Sequence, residues 1–218
     1  MKISLVIFDM DGLMFHTEKL GLISWKKGGE ALGYNLTDEI ILETIGVNIV
    51  ETERIHRKYF GEDYPFEEIK RIRMDYAKNY IEKYGVPVKE GLYELLNLLE
   101  EKGLLKAVAT STERERTEYL LLKAGIKEKF NLIVCGDEIT RSKPDPEIFL
   151  YTAKKLNCKP SECLVLEDSE KGILSAKRAG MIPILIPDLK RPSPEIVKLS
   201  YKVFNSLLEV KDYIEKIL

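Results

Sequence analysis

Phe8-Asp9-Met10-Asp11-Gly12 is the stretch on which the reading of this chain turns. It closes an apolar run, Ile3–Phe8, that is long enough for one buried strand. The run is too short for a secretion signal or a membrane span. Two acids two residues apart follow at once, and Gly12 lets the backbone turn with its N–H groups facing inward. Taken alone, this pattern is equally a strand-end turn with two solvated acids.

Working outward, four further apolar runs read as buried strands: Leu104–Ala109, Leu132–Cys135, Cys163–Leu166 and Ile182–Ile186. Most are separated by helical patterns with ordinary punctuation. A stripe of Leu92, Leu95, Leu96 and Leu99 stops at Gly103; Thr112, with Glu115 three residues on, can start the next helix, which Gly125 ends. Pro146 suits the first turn of another, and the segment from Ser169 ends at Gly180. Near-continuous apolar strands alternating with helices predict an α/β fold with a Rossmann-like parallel sheet covered on both faces. In such a sheet, ligands bind at the carboxyl ends of the strands.

The alternation breaks after the first strand. Residues 16–86 carry helical patterns and no convincing strand, with amphipathic stretches over Ile49–Phe60 and Phe66–Tyr84. The expected organisation is an α/β core of residues 1–15 and 87–218 with a helical domain, 16–86, inserted. His56, on a charged helix of the insert, reads as solvated, and the aromatic residues there read as helix packing.

Bulk properties narrow the function classes. The chain has 218 residues, 44% of them hydrophobic, enough for a sizeable core. Its 34 basic and 36 acidic side chains give a formal net charge of −2. That balance gives no reason to expect a nucleic-acid or membrane-surface partner. Three cysteines without a C-x-x-C pair argue against a disulfide framework or zinc site and fit a reducing cytoplasm. Monomer is the default expectation. No G-x-x-x-x-G-K-[ST] occurs, which excludes a P-loop kinase.

Three more signals sit at a strand end or a helix start. Thr110-Ser111 follows the second strand, where hydroxyls and a helix N-terminus can hold phosphate oxygens. Ser142-Lys143-Pro144-Asp145-Pro146 places a lysine on a stiff loop before a helix. Glu167-Asp168-Ser169 puts two acids after the fourth strand. Each alone is also an ordinary cap, loop or helix-starting acid.

In this order and context, the four motifs resemble those of the haloacid dehalogenase superfamily of phosphohydrolases, over Ile3 to Ile186. The insert is similar to the helical cap of its β-phosphoglucomutase-like branch. The resemblance implies that strands one and four are neighbours, bringing Asp9, Asp11 and Asp168 together. It implies a Mg²⁺-dependent phosphatase acting on a small phosphorylated metabolite, such as a sugar phosphate or nucleotide-like ester. Asp9 would be the nucleophile that becomes an aspartyl-phosphate, and Asp11 the general acid and base. Thr110, Ser111 and Lys143 would bind phosphate. The metal would take Asp9, Asp168 and the backbone carbonyl of Asp11, with Glu167 helping through water.

Asp11 disfavours dehalogenation, since the family's dehalogenases lack an acid at that place. The alternative is a hexose phosphomutase of the β-phosphoglucomutase type. Those relatives carry a histidine and an arginine where this chain has Gly21 and Gly46-Val47-Asn48-Ile49. Their absence favours water as the final acceptor. His16 stands where relatives have an acid at the hinge and reads as a hinge residue near the cleft. Gly46 and Asn48 are candidates for the loop facing the cleft.

Overall fold

The structure is a computed structural model that describes residues 2–217. The chain divides into two compact units: one holds the chain up to His16 and from Val88 onward, the other Thr17–Pro87.

The first unit is an α/β layer structure. Its strands are β1 (Leu5–Phe8), β2 (Leu105–Ala109), β3 (Leu132–Val134), β4 (Cys163–Glu167), β5 (Ile182–Leu185) and β6 (Lys202–Val203). They pair in parallel in the order β3-β2-β1-β4-β5-β6. The α/β class is therefore as expected, and β1 and β4 are neighbours, with Phe8 opposite Leu166. Strand order reverses at β1, between β2 and β4, so the end of β1 opens at the topological switch point.

All four β1 residues are fully buried, because both faces of the strand are covered. Leu5 and Ile7 join a cluster with Ile148, Phe149, Ala176 and Ala179 from α7 (Glu147–Lys155) and the end of α8 (Glu170–Arg178). Alternation turns Val6 and Phe8 to the opposite layer, where Phe8 meets Phe130 edge-on at 5.7 Å. Each such side chain contributes about 1.5–3 kcal/mol by leaving water. β6 was not foreseen. It is two exposed residues long and has no apolar run to announce it.

The second unit is all helix: α1 (Thr17–Ala31), α2 (Asp38–Thr44), α3 (Ile49–Phe60) and α4 (Phe66–Tyr84). No helix among the described residues is long and apolar enough to cross a membrane. The core of this unit is aromatic, with Trp25, Tyr64 and Phe66 packed on Leu36, Ile41 and Ile69.

His56 corrects the sequence reading. It is fully buried, because α3 turns Thr52, Ile55 and His56 inward while Glu51–Arg54 and Glu53–Arg57 pairs take the outer face. Its ring lies edge-on to Trp25 at 4.8 Å and Tyr64 at 5.5 Å. Nδ1 meets the Tyr64 hydroxyl at 3.3 Å, and Nε2 has no hydrogen-bond partner among the described residues. Burial, reinforced by Arg73, pulls its pKa from 6.5 down to about 4.

A folded-state pKa below the unfolded one contributes stability that is present above pH 6.5 and lost as pH falls toward 4. His56→Phe should therefore flatten the dependence of Tm on pH across that window relative to the parent chain. Thermal melts of both proteins at matched ionic strength check this; parallel slopes would refute it.

Candidate active site

The ends of β1, β2 and β4 converge on one ammonium. Lys143 Nζ donates to Asp9 Oδ1 at 2.6 Å, to Glu167 Oε1 at 2.7 Å and to the Ala109 carbonyl at 2.9 Å. Three acceptors match the three protons of a lysine ammonium. Its side chain is only 5% exposed and lies 4.9 Å from the Phe149 ring centroid. The loop that carries it is tied to α8: Ser175 Oγ donates to the Asp145 carbonyl at 2.7 Å, and Arg178 Nη1 to that of Pro144 at 2.9 Å.

Asp9 follows β1 directly, and its N–H donates to the Leu166 carbonyl of β4. Burial pushes its carboxyl up to about 7 against the pull of Lys143, and the Glu167 and Asp11 charges add to the rise. Burial alone would lower the Lys143 ammonium, but Asp9 and Glu167 outweigh it and hold it above its ordinary range.

Glu167 is fully buried. Its second oxygen, Oε2, accepts from the Ser169 N–H at 3.1 Å and hydroxyl at 2.9 Å. Ser169 Oγ in turn accepts from the Gly172 N–H at 3.0 Å and caps α8. Gly172 is obligatory here, since a Cβ on it would stand 1.8 Å from Glu167 Cδ. Gly12 plays the same part for Asp168. It has a φ of +80°, and a Cβ there would stand 2.2 Å from Asp168 Oδ2.

Asp9, Glu167 and Asp168 each offer an oxygen within 4.8 Å of the others. These donors fit a hard divalent cation: all are carboxylate oxygens, and two of them, on Asp9 and Glu167, share the single charge of Lys143. Asp11 is not in this trio. Its Oδ2 accepts from the Thr112 hydroxyl at 2.6 Å.

Thr112 is the residue that sequence reasoning misplaced. It was expected to start a helix, but α6 (Arg114–Lys123) begins later, with Glu113 at its N-cap. Thr112 Oγ1 is spent on Asp11 instead. A third hydroxyl after the second strand, in Thr110-Ser111-Thr112, was the available signal. Thr110 is almost completely buried; its N–H binds the Val134 carbonyl, and its Oγ1 accepts from the Thr112 N–H at 3.1 Å. Ser111 is exposed, and its backbone packs so tightly on Gly136 that a Cβ there would come within 2.1 Å of the Ser111 oxygen. In the helical unit, the Asn48 side chain caps α3 by accepting from the Glu51 N–H. Gly21, Gly46 and Arg73 line a cavity of about 210 Å³ there.

Comparison with known proteins agrees with this architecture. The sequence profile of the haloacid dehalogenase-like hydrolases matches residues 6–186. The chain is 31% identical to a phosphorylated carbohydrates phosphatase of Thermotoga maritima, over 81% of each chain. It is 31% identical to a Drosophila melanogaster protein named as a probable pseudouridine-5'-phosphatase, over 96% of this chain and 92% of that one. A solved structure of a candidate β-phosphoglucomutase from Thermotoga maritima superposes with a TM-score of 0.86 at 25% identity, covering 99% of this chain and 100% of that one.

Lys143→Met would leave Asp9 and Glu167 buried without their shared counter-charge. The expected loss is about 3–5 kcal/mol near neutral pH, the usual penalty for stripping one partner from a buried ion pair. The loss should shrink at pH 5, where Asp9, already pushed up to about 7 by burial, can protonate. Urea unfolding at pH 5 and pH 8 checks both the size and the direction.

Proposed function

Because the chain belongs to the haloacid dehalogenase-like hydrolases, we propose that it is a Mg²⁺-dependent phosphatase of small phosphate monoesters working through an aspartyl-phosphate on Asp9. Lys143 carries the reading. Its ammonium draws Asp9 and Glu167 together at the switch point, beside Asp168, where ligands bind in open α/β sheets. The relatives named as phosphatases support the same activity.

In this reading, Asp9 holds one oxygen on Lys143 and attacks phosphorus with the other. The bond from phosphorus to the ester oxygen breaks, and Asp11 hands its proton to the departing alkoxide. Water then attacks the acyl phosphate, Asp11 takes a proton from it, and the bond between phosphorus and Asp9 breaks to free inorganic phosphate. The Thr112 hydroxyl holds Asp11 in one orientation through both steps. Lys143 also neutralises transferring oxygens, and hydrogen-bond donors around Thr110 and Ser111 receive the phosphate. Asp9, Asp168 and the Asp11 carbonyl would hold the metal, with Glu167 assisting. When bound, Mg²⁺ supplies positive charge to the phosphoryl oxygens and to the crowded carboxylates.

The substrates named for the relatives, phosphorylated carbohydrates and pseudouridine 5'-phosphate, make sugar phosphates and nucleotide-like esters the class to test. Residues 16–86 would act as the cap that sets substrate choice. Net hydrolysis is favoured over phosphosugar mutation because glycine stands at position 21 and no arginine occurs in Gly46–Ile49.

A screen of phosphate esters should give phosphate release with Mg²⁺ and none with EDTA. With β-glucose 1-phosphate, glucose 6-phosphate in place of free phosphate would instead establish the mutase. Asp9→Asn should abolish turnover while leaving circular dichroism unchanged. Asp11→Asn should lower kcat about 10²–10⁴-fold. Near-parental activity in Asp9→Asn would overturn the nucleophile assignment.

A further inference from the structure

Asp188, in the loop after β5, lies beside the carboxylate cluster but belongs to none of the four motifs. Its side chain is 10% exposed, and Oδ1 is ion-paired with Lys89. Oδ2 is buried and has no hydrogen-bond partner among the described residues. That oxygen is aimed at the site: a Cβ built on Gly12 would stand 3.4 Å from Asp188 Oδ2 and 2.2 Å from Asp168 Oδ2. Two carboxylates, from the ends of β4 and β5, thus face the same point above Gly12.

This arrangement is costly as it stands. A buried acceptor left unsatisfied costs about 1–3 kcal/mol, and more when it is charged. Two facing anions also repel each other. Lys89 answers one oxygen of Asp188 and leaves the other with nothing. A cation at Asp168 would relieve both costs. Mg²⁺ keeps several waters when it binds protein, and their outward protons need acceptors.

We propose that Asp188 is a positioning residue for the divalent cation held at Asp9 and Asp168. Its Oδ2 accepts a hydrogen bond from the cation's hydration shell, and Lys89 fixes the orientation of the carboxylate. Lys89 is itself anchored, since its N–H donates to the Met14 carbonyl and neighbouring Val88 bridges to Phe15. The ion pair therefore joins the turn after β1 to the loop after β5. Asp188 touches neither substrate nor reacting atoms. The inference rests on the metal-dependent reading above.

The test is Mg²⁺ binding, followed by calorimetry and by the rise in Tm on adding Mg²⁺, in the full chain without substrate. Asp188→Asn and Asp188→Ala should weaken Mg²⁺ about 10–100-fold, the usual effect of removing a partner just outside the ligands. Asparagine is near-isosteric, so it carries the comparison if the alanine variant does not fold. Whichever way its amide turns, it loses either the acceptor or the match to Lys89. Lys89→Gln should lower the metal-free Tm and weaken Mg²⁺ less than Asp188→Asn does, because it loosens the carboxylate but leaves the acceptor in place.

Two results would overturn the proposal alone: a folded Asp188→Asn that binds Mg²⁺ within about twofold of the parent, or Lys89→Gln losing as much affinity as Asp188→Asn. The second would make the pair a scaffold only. A parent protein that binds no Mg²⁺ would overturn the metal site itself, and this inference with it.

Discussion

The Lys143 ammonium is the interaction on which the core depends. Three strand ends bring acceptors to one point: a carboxylate from β1, a carbonyl from β2 and a carboxylate from β4. Desolvating each charge costs several kcal/mol, and the cost is met only when geometry satisfies every donor and acceptor. Here the three protons of the ammonium each have an acceptor, and the two free oxygens of Glu167 and Asp9 divide the remaining work. Glu167 turns its second oxygen to Ser169, while in the proposed mechanism that of Asp9 attacks phosphorus. The same lysine thus sets the spacing of the sheet ends and the charge at Asp9.

Crowding like charges requires the backbone to approach them closely, and two glycines permit it. Gly12 lets Asp168 lie against the turn after β1, and Gly172 lets Glu167 lie against the first turn of α8. Any side chain at either place would push a carboxylate out of the cluster. The result is an acid-rich end of a sheet whose buried strands are otherwise mostly apolar. The well-packed strands beneath it hold the acids where an unconstrained chain would separate them.

The helical unit solves a different problem. Its small core is built around aromatic rings and one neutral histidine, with the ion pairs of α3 kept on the outer face. Burying His56 without its proton lets an aromatic cluster close over it. The unit meets this cost through packing, since Tyr64 contributes the partner for Nδ1 and edge-on contact besides.

Much of this was legible in the residues. Apolar runs of strand length marked five of the six strands, the helices Ile49–Phe60 and Phe66–Tyr84 fell where periodicity put them, and β1 and β4 proved to be neighbours. Strand β6 left no trace because two exposed residues carry no pattern. His56 was misread because a charged helix conceals which turn faces inward until its neighbours are known. By itself, then, the sequence determined the α/β class, the strand-end positions of Asp9, Asp11, Glu167 and Asp168, and the place of Lys143 on a loop before a helix, because periodicity and motif spacing are local properties of a chain. Only the tertiary structure decided that Lys143 serves Asp9 across 134 positions, that Thr112 holds Asp11 across 101, and that Asp188 joins Lys89 across 99. Such meetings depend on strand order and loop path, and no local pattern encodes them.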